Sequence, residues 1–140
     1  MNQIISNKEL ITRAVECLNP VEVDGDWYGD VASVLVTDKG NIYKGVCVDA
    51  GSGAGFCAER SAIAQMFTNK EYKVKKLVAV WNNNPQKDVY VLPPCGVCRH
   101  FMFSRLENAL DIEIVINSNK TVTLRDLYPY HEWPDHKEEF

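Results

Sequence analysis

The sequence has no surplus of positive charge: 15 Lys and Arg stand against 19 Asp and Glu, a formal net charge of -4. Nucleic-acid affinity comes chiefly from neutralising phosphates, so this balance argues against a nucleic-acid partner and leaves room for a small uncharged one. The basic cluster Lys70, Lys73, Lys75, Lys76 is interleaved with Glu71 and reads as a solvated face. No apolar run has the length needed to cross a bilayer, and Met1-Asn2-Gln3-Ile4-Ile5-Ser6-Asn7 lacks a cationic stretch leading into a hydrophobic one. A cytoplasmic protein with no membrane partner is expected. There is no internal repeat and no low-complexity tract. Histidine is scarce, and His100, His131 and His136 have no spacing that suggests shared ligation.

What is present is enough apolar residue, 46% of 140, for one domain spanning residues 1–140. A chain of that length buries about two-thirds of its unfolded surface around a single core. The five cysteines are an odd number, and two of them form Cys95-Gly96-Val97-Cys98. In a reducing compartment that spacing belongs to metal or redox chemistry rather than to a structural disulfide. Cys17 falls on an apolar helical face and reads as a small buried hydrophobe.

Leu10, Ile11, Ala14, Val15 and Leu18 recur at helical spacing behind Ser6 or Asn7 as a cap and before a stop at Asn19-Pro20. The acidic stretch Val21 to Asp30 has no periodicity and is predicted as a loop. Val31 to Thr37 and Ile42 to Val48 are β-branched runs joined by the turn residues Asp38-Lys39-Gly40-Asn41, an antiparallel hairpin. Ala50-Gly51-Ser52-Gly53-Ala54-Gly55 is glycine-rich, yet no Lys-Ser or Lys-Thr follows and it does not match a phosphate-binding loop.

A helix is predicted over Cys57 to Thr68, a buried strand over Leu77 to Trp81, and a turn at Asn82-Asn83-Asn84-Pro85. An extended piece covers Val89 to Leu92, and after Pro93-Pro94 a second buried helical face runs from Cys95 to Leu106. Ile112 to Ile116 and Thr121 to Leu124 read as two last strands before an aromatic, charged tail. The expected architecture is α/β, a sheet of five strands with helices on both faces.

Chemistry concentrates in two short motifs, each at the predicted start of a helix: Cys57-Ala58-Glu59 and Pro94-Cys95-Gly96-Val97-Cys98. Alone, the first is common by chance, and the second could be a redox dithiol or half of a closed four-cysteine zinc site. Together they resemble the signature of zinc deaminases, a ligand with a non-ligating Glu two residues on, joined by Pro-Cys-x-x-Cys downstream. Three thiolates at Cys57, Cys95 and Cys98 would hold one Zn²⁺ per subunit and leave the fourth position for water. Helix N-termini supply the partial positive charge that favours ionised sulfur. Glu59 would then carry the protons of a hydrolytic deamination. The alternative from another class is a non-catalytic protein with a structural zinc closed by Cys47 or a histidine.

Through Cys57-Ala58-Glu59-Arg60, Pro94-Cys95-Gly96-Val97-Cys98-Arg99 and the ending Thr123-Leu124-Arg125-Asp126-Leu127-Tyr128-Pro129, the sequence resembles the cytidine deaminase family of small homotetrameric enzymes. The resemblance implies a three-layer α/β/α fold with a mixed sheet, and a cytosine nucleoside substrate such as cytidine or deoxycytidine. It implies that Arg60 and Arg99 donate to the zinc thiolates. It further implies that the Ala58 N–H binds the pyrimidine O2 and that the Pro93 carbonyl faces the departing amine. A homotetramer is implied, with a homodimer possible, and the tail of Tyr128, Tyr130, His131, Trp133 and Phe140 either closes a neighbouring pocket or packs on its own chain.

The departures fall on substrate recognition. The family's stacking Phe corresponds to Gly29, and its ribose-binding Asn-x-Glu-Asn corresponds to Cys47-Val48-Asp49-Ala50. A thiol cannot make both hydrogen bonds of an amide. Asp49 could accept from a sugar hydroxyl or be a plain strand-end acid. These features, with Asp30-Val31-Ala32-Ser33, look more like the blasticidin S deaminase branch, whose antibiotic also presents a cytosine amine.

Overall fold

A computed structural model describes residues 5–82, 88–132 and 137–140. The tail residues Trp133 and His136, and most of the turn expected at Asn82 to Pro85, lie outside the described residues.

Helix α1 (Asn7–Cys17) starts at Ser6, whose side chain accepts from the Glu9 N–H, and buries Leu10 and Ala14. Strands β1 (Val21–Val23), β2 (Asp26–Thr37) and β3 (Ile42–Val48) follow, then α2 (Ala58–Thr68), β4 (Val74–Trp81) and β5 (Tyr90–Leu92). Helix α3 (Gly96–Arg105), β6 (Glu113–Asn117), β7 (Lys120–Thr123) and the short α4 (Leu124–Leu127) complete the order.

Among the described residues the sheet has seven strands, not the expected five. Its spine runs β3-β2-β4-β6-β7, with β1 beside the start of β2 and β5 beside the end of β4. All pairings are antiparallel except β4 with β6, so the sheet is mixed. The two added strands come from stretches with no burial pattern. Val21, Glu22 and Val23 are all exposed, yet Asp24 and Gly25, with φ of 50° and 86°, close a two-residue turn that pairs Val23 with Asp26. Asp-Gly is the residue pair such a turn requires. Likewise Val89 to Leu92, read only as extended, pairs through Tyr90–Leu92 with Trp81, Val80 and Ala79. Thr123 ends β7 and caps α4 through a reciprocal box with Asp126, so Leu124 is helical rather than extended.

The pleat sorts alternate residues to opposite faces. Ala32, Val34, Val78, Val80 and Val115 meet Leu10 and Ala14 of α1 on one side. Leu35, Leu77 and Ile114 meet Ile63 and Met66 of α2 and Met102 of α3 on the other. This is a three-layer α/β/α arrangement, with both motif-bearing helices on one face. Each fully buried Leu, Ile or Met contributes about 1.5–3 kcal/mol by leaving water. Gly45 sets the distance of α2 from β3: a Cβ there would lie 2.5 Å from the Ala62 nitrogen and from Ser61 Oγ. No helix of the described residues is long and apolar enough to cross a membrane.

Candidate active site

Both motifs enter helices in the same way. Cys57 is the N-cap of α2 and Cys95 the N-cap of α3, each with extended backbone, and neither side chain makes a capping hydrogen bond. Their sulfurs are thus released from the helix ends they begin. An isolated pair between Val48 and Phe56, with N–H···O distances of 3.0 and 2.9 Å, ties the glycine-rich segment back to β3 just before Cys57.

The sulfurs of Cys57 and Cys98 are in direct contact, although their Cα atoms are 7.4 Å apart and 41 residues separate them. Disulfide-bonded cysteines usually span about 4.4–6.8 Å between Cα atoms. Cys95 Sγ lies 3.6 Å from Cys98 Sγ. Two sulfurs on one tetrahedral Zn²⁺ are about 3.8 Å apart, given bonds of about 2.3 Å. Donor atoms of Cys57, Glu59 and Cys98 all lie within 4.8 Å of one another. Two sulfurs gathered with a carboxylate, and a third sulfur beside one of them, fit Zn²⁺ better than a redox pair, which needs neither the extra sulfur nor the acid.

Glu59 is 4% exposed, on the first turn of α2. Burial pushes its carboxyl above the ordinary carboxylate value, opposed by its own backbone N–H and by the Arg60 guanidinium. Arg60 Nε donates to Cys57 Sγ at 3.2 Å. Arg99 departs from expectation. Its Nε donates to the Pro94 carbonyl at 2.7 Å and its Nη1 to the Leu127 carbonyl at 2.8 Å, so these donors point at backbone rather than at sulfur. The reason is local: the turn before Cys95 is built of prolines, and its buried carbonyl needs a donor.

A cleft of about 300 Å³ opens beside the cysteines, and Cys47, Asp49, Ala58, Arg60 and Cys95 line it. Ala58 is the first residue of α2, so its N–H has no acceptor within the helix. Pro93 is exposed and is not among the lining residues. Gly29 holds φ +69°, and a Cβ there would come within 2.4 Å of the Asn19 carbonyl oxygen. The backbone of Asn19 thus leaves no room for a side chain at position 29. Exposed Phe56 and Val97 stand at the cleft's mouth.

Sequence reasoning missed Asp30. It is buried, accepting from the Cys47 thiol at 3.0 Å and from Trp81 Nε1 at 3.1 Å. The available signal was an acid opening an apolar strand. Burial, and then the Asp30 contact, push the Cys47 thiol up to about 11. In the tail, His131 stacks on Phe103 at 4.5 Å and His100 Nδ1 lies 2.8 Å from Tyr128 Oη, so this part packs on its own α3. Tyr130 and Phe140 are exposed.

The model of the cytidine and deoxycytidylate deaminase zinc-binding region matches residues 6–108. The chain belongs to this family. The deaminase is therefore a hydrolytic enzyme with zinc as its cofactor, and the cluster of Cys57, Glu59 and Cys98 fits such a cofactor. Among solved structures, cytidine deaminase from Mycobacterium leprae is similar with a TM-score of 0.72 at 22% identity, over 90% of this chain and 99% of that one. Cytidine deaminase from Mycobacterium tuberculosis gives 0.72 at 21%, over 91% and 97%. The enzyme from Bacillus anthracis gives 0.71 at 22%, over 89% and 88%. At these identities the likeness establishes the fold. No curated protein matches the deaminase by sequence.

Proposed function

We propose that the deaminase removes the exocyclic amine of a cytosine nucleoside, releasing a uracil nucleoside and ammonia. The observation that carries this reading is a buried carboxyl, Glu59, set within 4.8 Å of the Cys57 and Cys98 sulfurs. Cys57, Cys95 and Cys98 would hold the zinc, which when bound acidifies water and makes it a nucleophile near neutral pH. Glu59 takes a proton from the attacking water and gives it to ring N3 as the new C–O bond forms at C4. It then takes the proton of the new C4 hydroxyl and delivers it to the amine nitrogen as the C4 carbonyl forms and the C–N bond breaks, which balances water in against ammonia out. A carboxyl raised by burial suits both halves of that exchange.

Arg60, bonded to Cys57 Sγ, offsets thiolate charge. In this reading the Ala58 N–H donates to the pyrimidine O2 and Cys47 and Asp49 meet the sugar end, which their place in the cleft lining supports; the Pro93 carbonyl would meet the departing amine, although Pro93 itself lies outside that lining. A closed structural zinc site is disfavoured because Cys47, which could complete it, gives its thiol to Asp30. Gly29 removes a stacking ring while Cys47 and Asp49 change the sugar contacts, so a modified cytosine nucleoside such as blasticidin S stands beside cytidine and deoxycytidine as a substrate. The reading includes a cytoplasmic homotetramer, with a homodimer as the alternative, on the strength of the family alone; sedimentation would test it.

A spectrophotometric screen of cytidine, deoxycytidine, cytosine and blasticidin S with the zinc-loaded protein identifies the substrate. Glu59→Gln is expected to keep zinc and fold while abolishing ammonia release; turnover surviving that change would overturn the mechanism.

A further inference from the structure

We propose that Arg99 is a positioning residue which fastens the turn before Cys95 to the C-terminal segment, so that a part of the chain outside the family's zinc-binding region sets how firmly zinc is held. This rests on the proposed ligand set.

The turn needs outside support. Strand β5 ends at Leu92, and Pro93 and Pro94, which follow, have no N–H with which to fix themselves. The Pro94 carbonyl precedes the N-cap, where it belongs to neither strand nor helix. Cys95 itself is exposed, unlike Cys98. Arg99 supplies what is missing from two directions. Its backbone N–H binds the Cys95 carbonyl at 2.9 Å, and its Nε binds the Pro94 carbonyl at 2.7 Å. One residue thus holds both peptide units that orient the Cys95 sulfur.

The other end of the guanidinium reaches Leu127, the last residue of α4, beyond the region 6–108 that the family model matches. That anchor is itself fixed. Leu124 is fully buried and its N–H binds the Ile112 carbonyl, while the Tyr128 ring packs tilted against Phe103 with centroids 5.5 Å apart and its Oη meets His100. Arg99 and His100 are adjacent on α3, so the metal-bearing helix grips the segment at two successive residues. A guanidinium serves two carbonyls with separate nitrogens fixed in one rigid plane; a lysine carries all its N–H donors on one nitrogen at the end of a flexible stem and cannot reproduce that fixed spacing.

The test follows zinc release to a chromogenic chelator from the zinc-loaded full-length protein, together with melting temperatures of zinc-free protein, for wild type, Arg99→Lys, Arg99→Ala, Tyr128→Ala and Arg99→Ala with Tyr128→Ala. Arg99→Ala is expected to release zinc about tenfold faster, the scale on which groups supporting metal ligands act. Arg99→Lys is expected to fall close to Arg99→Ala, with little change in zinc-free melting. Tyr128→Ala is expected to accelerate release too, and the double variant to add less than the sum of the two. Release at the wild-type rate in both Arg99 variants would overturn the proposal, as would lower zinc-free melting with unchanged release. Wild-type protein that takes up no zinc would instead overturn the ligand assignment, and this proposal with it.

Discussion

The Cys47 thiol donates to Asp30 Oδ1 at 3.0 Å, while Trp81 Nε1 holds the other carboxylate oxygen at 3.1 Å. One buried acid therefore fixes a residue of the cleft and a residue of the central strand β4. Asp30→Ala leaves the indole N–H and the thiol without their acceptor, at a cost of about 1–3 kcal/mol. Urea unfolding should show that loss. An unchanged midpoint would mean that the carboxylate holds nothing in place.

The same contact gives a pH dependence. The Cys47 thiol titrates near 11 in the folded chain, up from 9.0. A raised value means that the folded state keeps a proton which the unfolded chain gives up. The stabilisation is fully present below pH 9 and is lost as pH rises through 11. Comparing wild type with Cys47→Ser isolates this effect, because the other groups that titrate there are common to both. The difference in urea midpoint should shift between pH 9 and 11; a constant difference would refute the assignment.

Gly29→Ala should be severe. The left-handed backbone alone costs a side-chain-bearing residue about 1–2 kcal/mol, and the Asn19 carbonyl stands where the methyl would go. A calorimetric melt no lower than wild type would show that this stretch can relax.

Gly45→Ala tests the seating of α2. The added methyl meets the Ala62 nitrogen and the Ser61 side chain at 2.5 Å, so the helix carrying Glu59 must move off β3. Overpacking of this kind costs about 1–3 kcal/mol. Here a fall in kcat larger than the change in KM is expected, since the displaced element carries the proton-transfer group.

Thiol counting reads the metal site directly. In zinc-loaded protein at pH 8, Cys57, Cys95 and Cys98 should resist a thiol reagent and become reactive after chelation. Cys47, buried and with its thiol held protonated, should wait for denaturant. Equal reactivity of the three with and without zinc would exclude them as ligands.

The meeting of Cys57, Glu59 and Cys98 was legible because the geometry of each motif is local: a Cys-x-Glu and a Cys-x-x-Cys each present their groups from one helical turn. Helices α1, α2 and α3 were legible because their apolar faces repeat with the helical period. Strand β1 was hidden because nothing in Val21–Val23 is buried, so its only signature is the Asp24-Gly25 turn. Strand β5 is three residues long and stops against two prolines. The contacts of Arg99 were not legible because both acceptors are backbone carbonyls, which every residue has, and one of them lies 28 residues away. Asp30 escaped notice for a related reason: only the register between Val31 and Trp81 brings the indole to it.

Strand β4 lies in sequence between the two motifs and in space between β2 and β6. On the proposed ligand set an unfolded chain offers an ion the close pair Cys95 and Cys98, and Cys57 joins them once the middle of the sheet has assembled. Preference for the assembled state turns metal supply into a brake on unfolding. Where zinc is scarce, newly made copies would open more often and be degraded sooner, so the abundance of this enzyme should track the metal available to it.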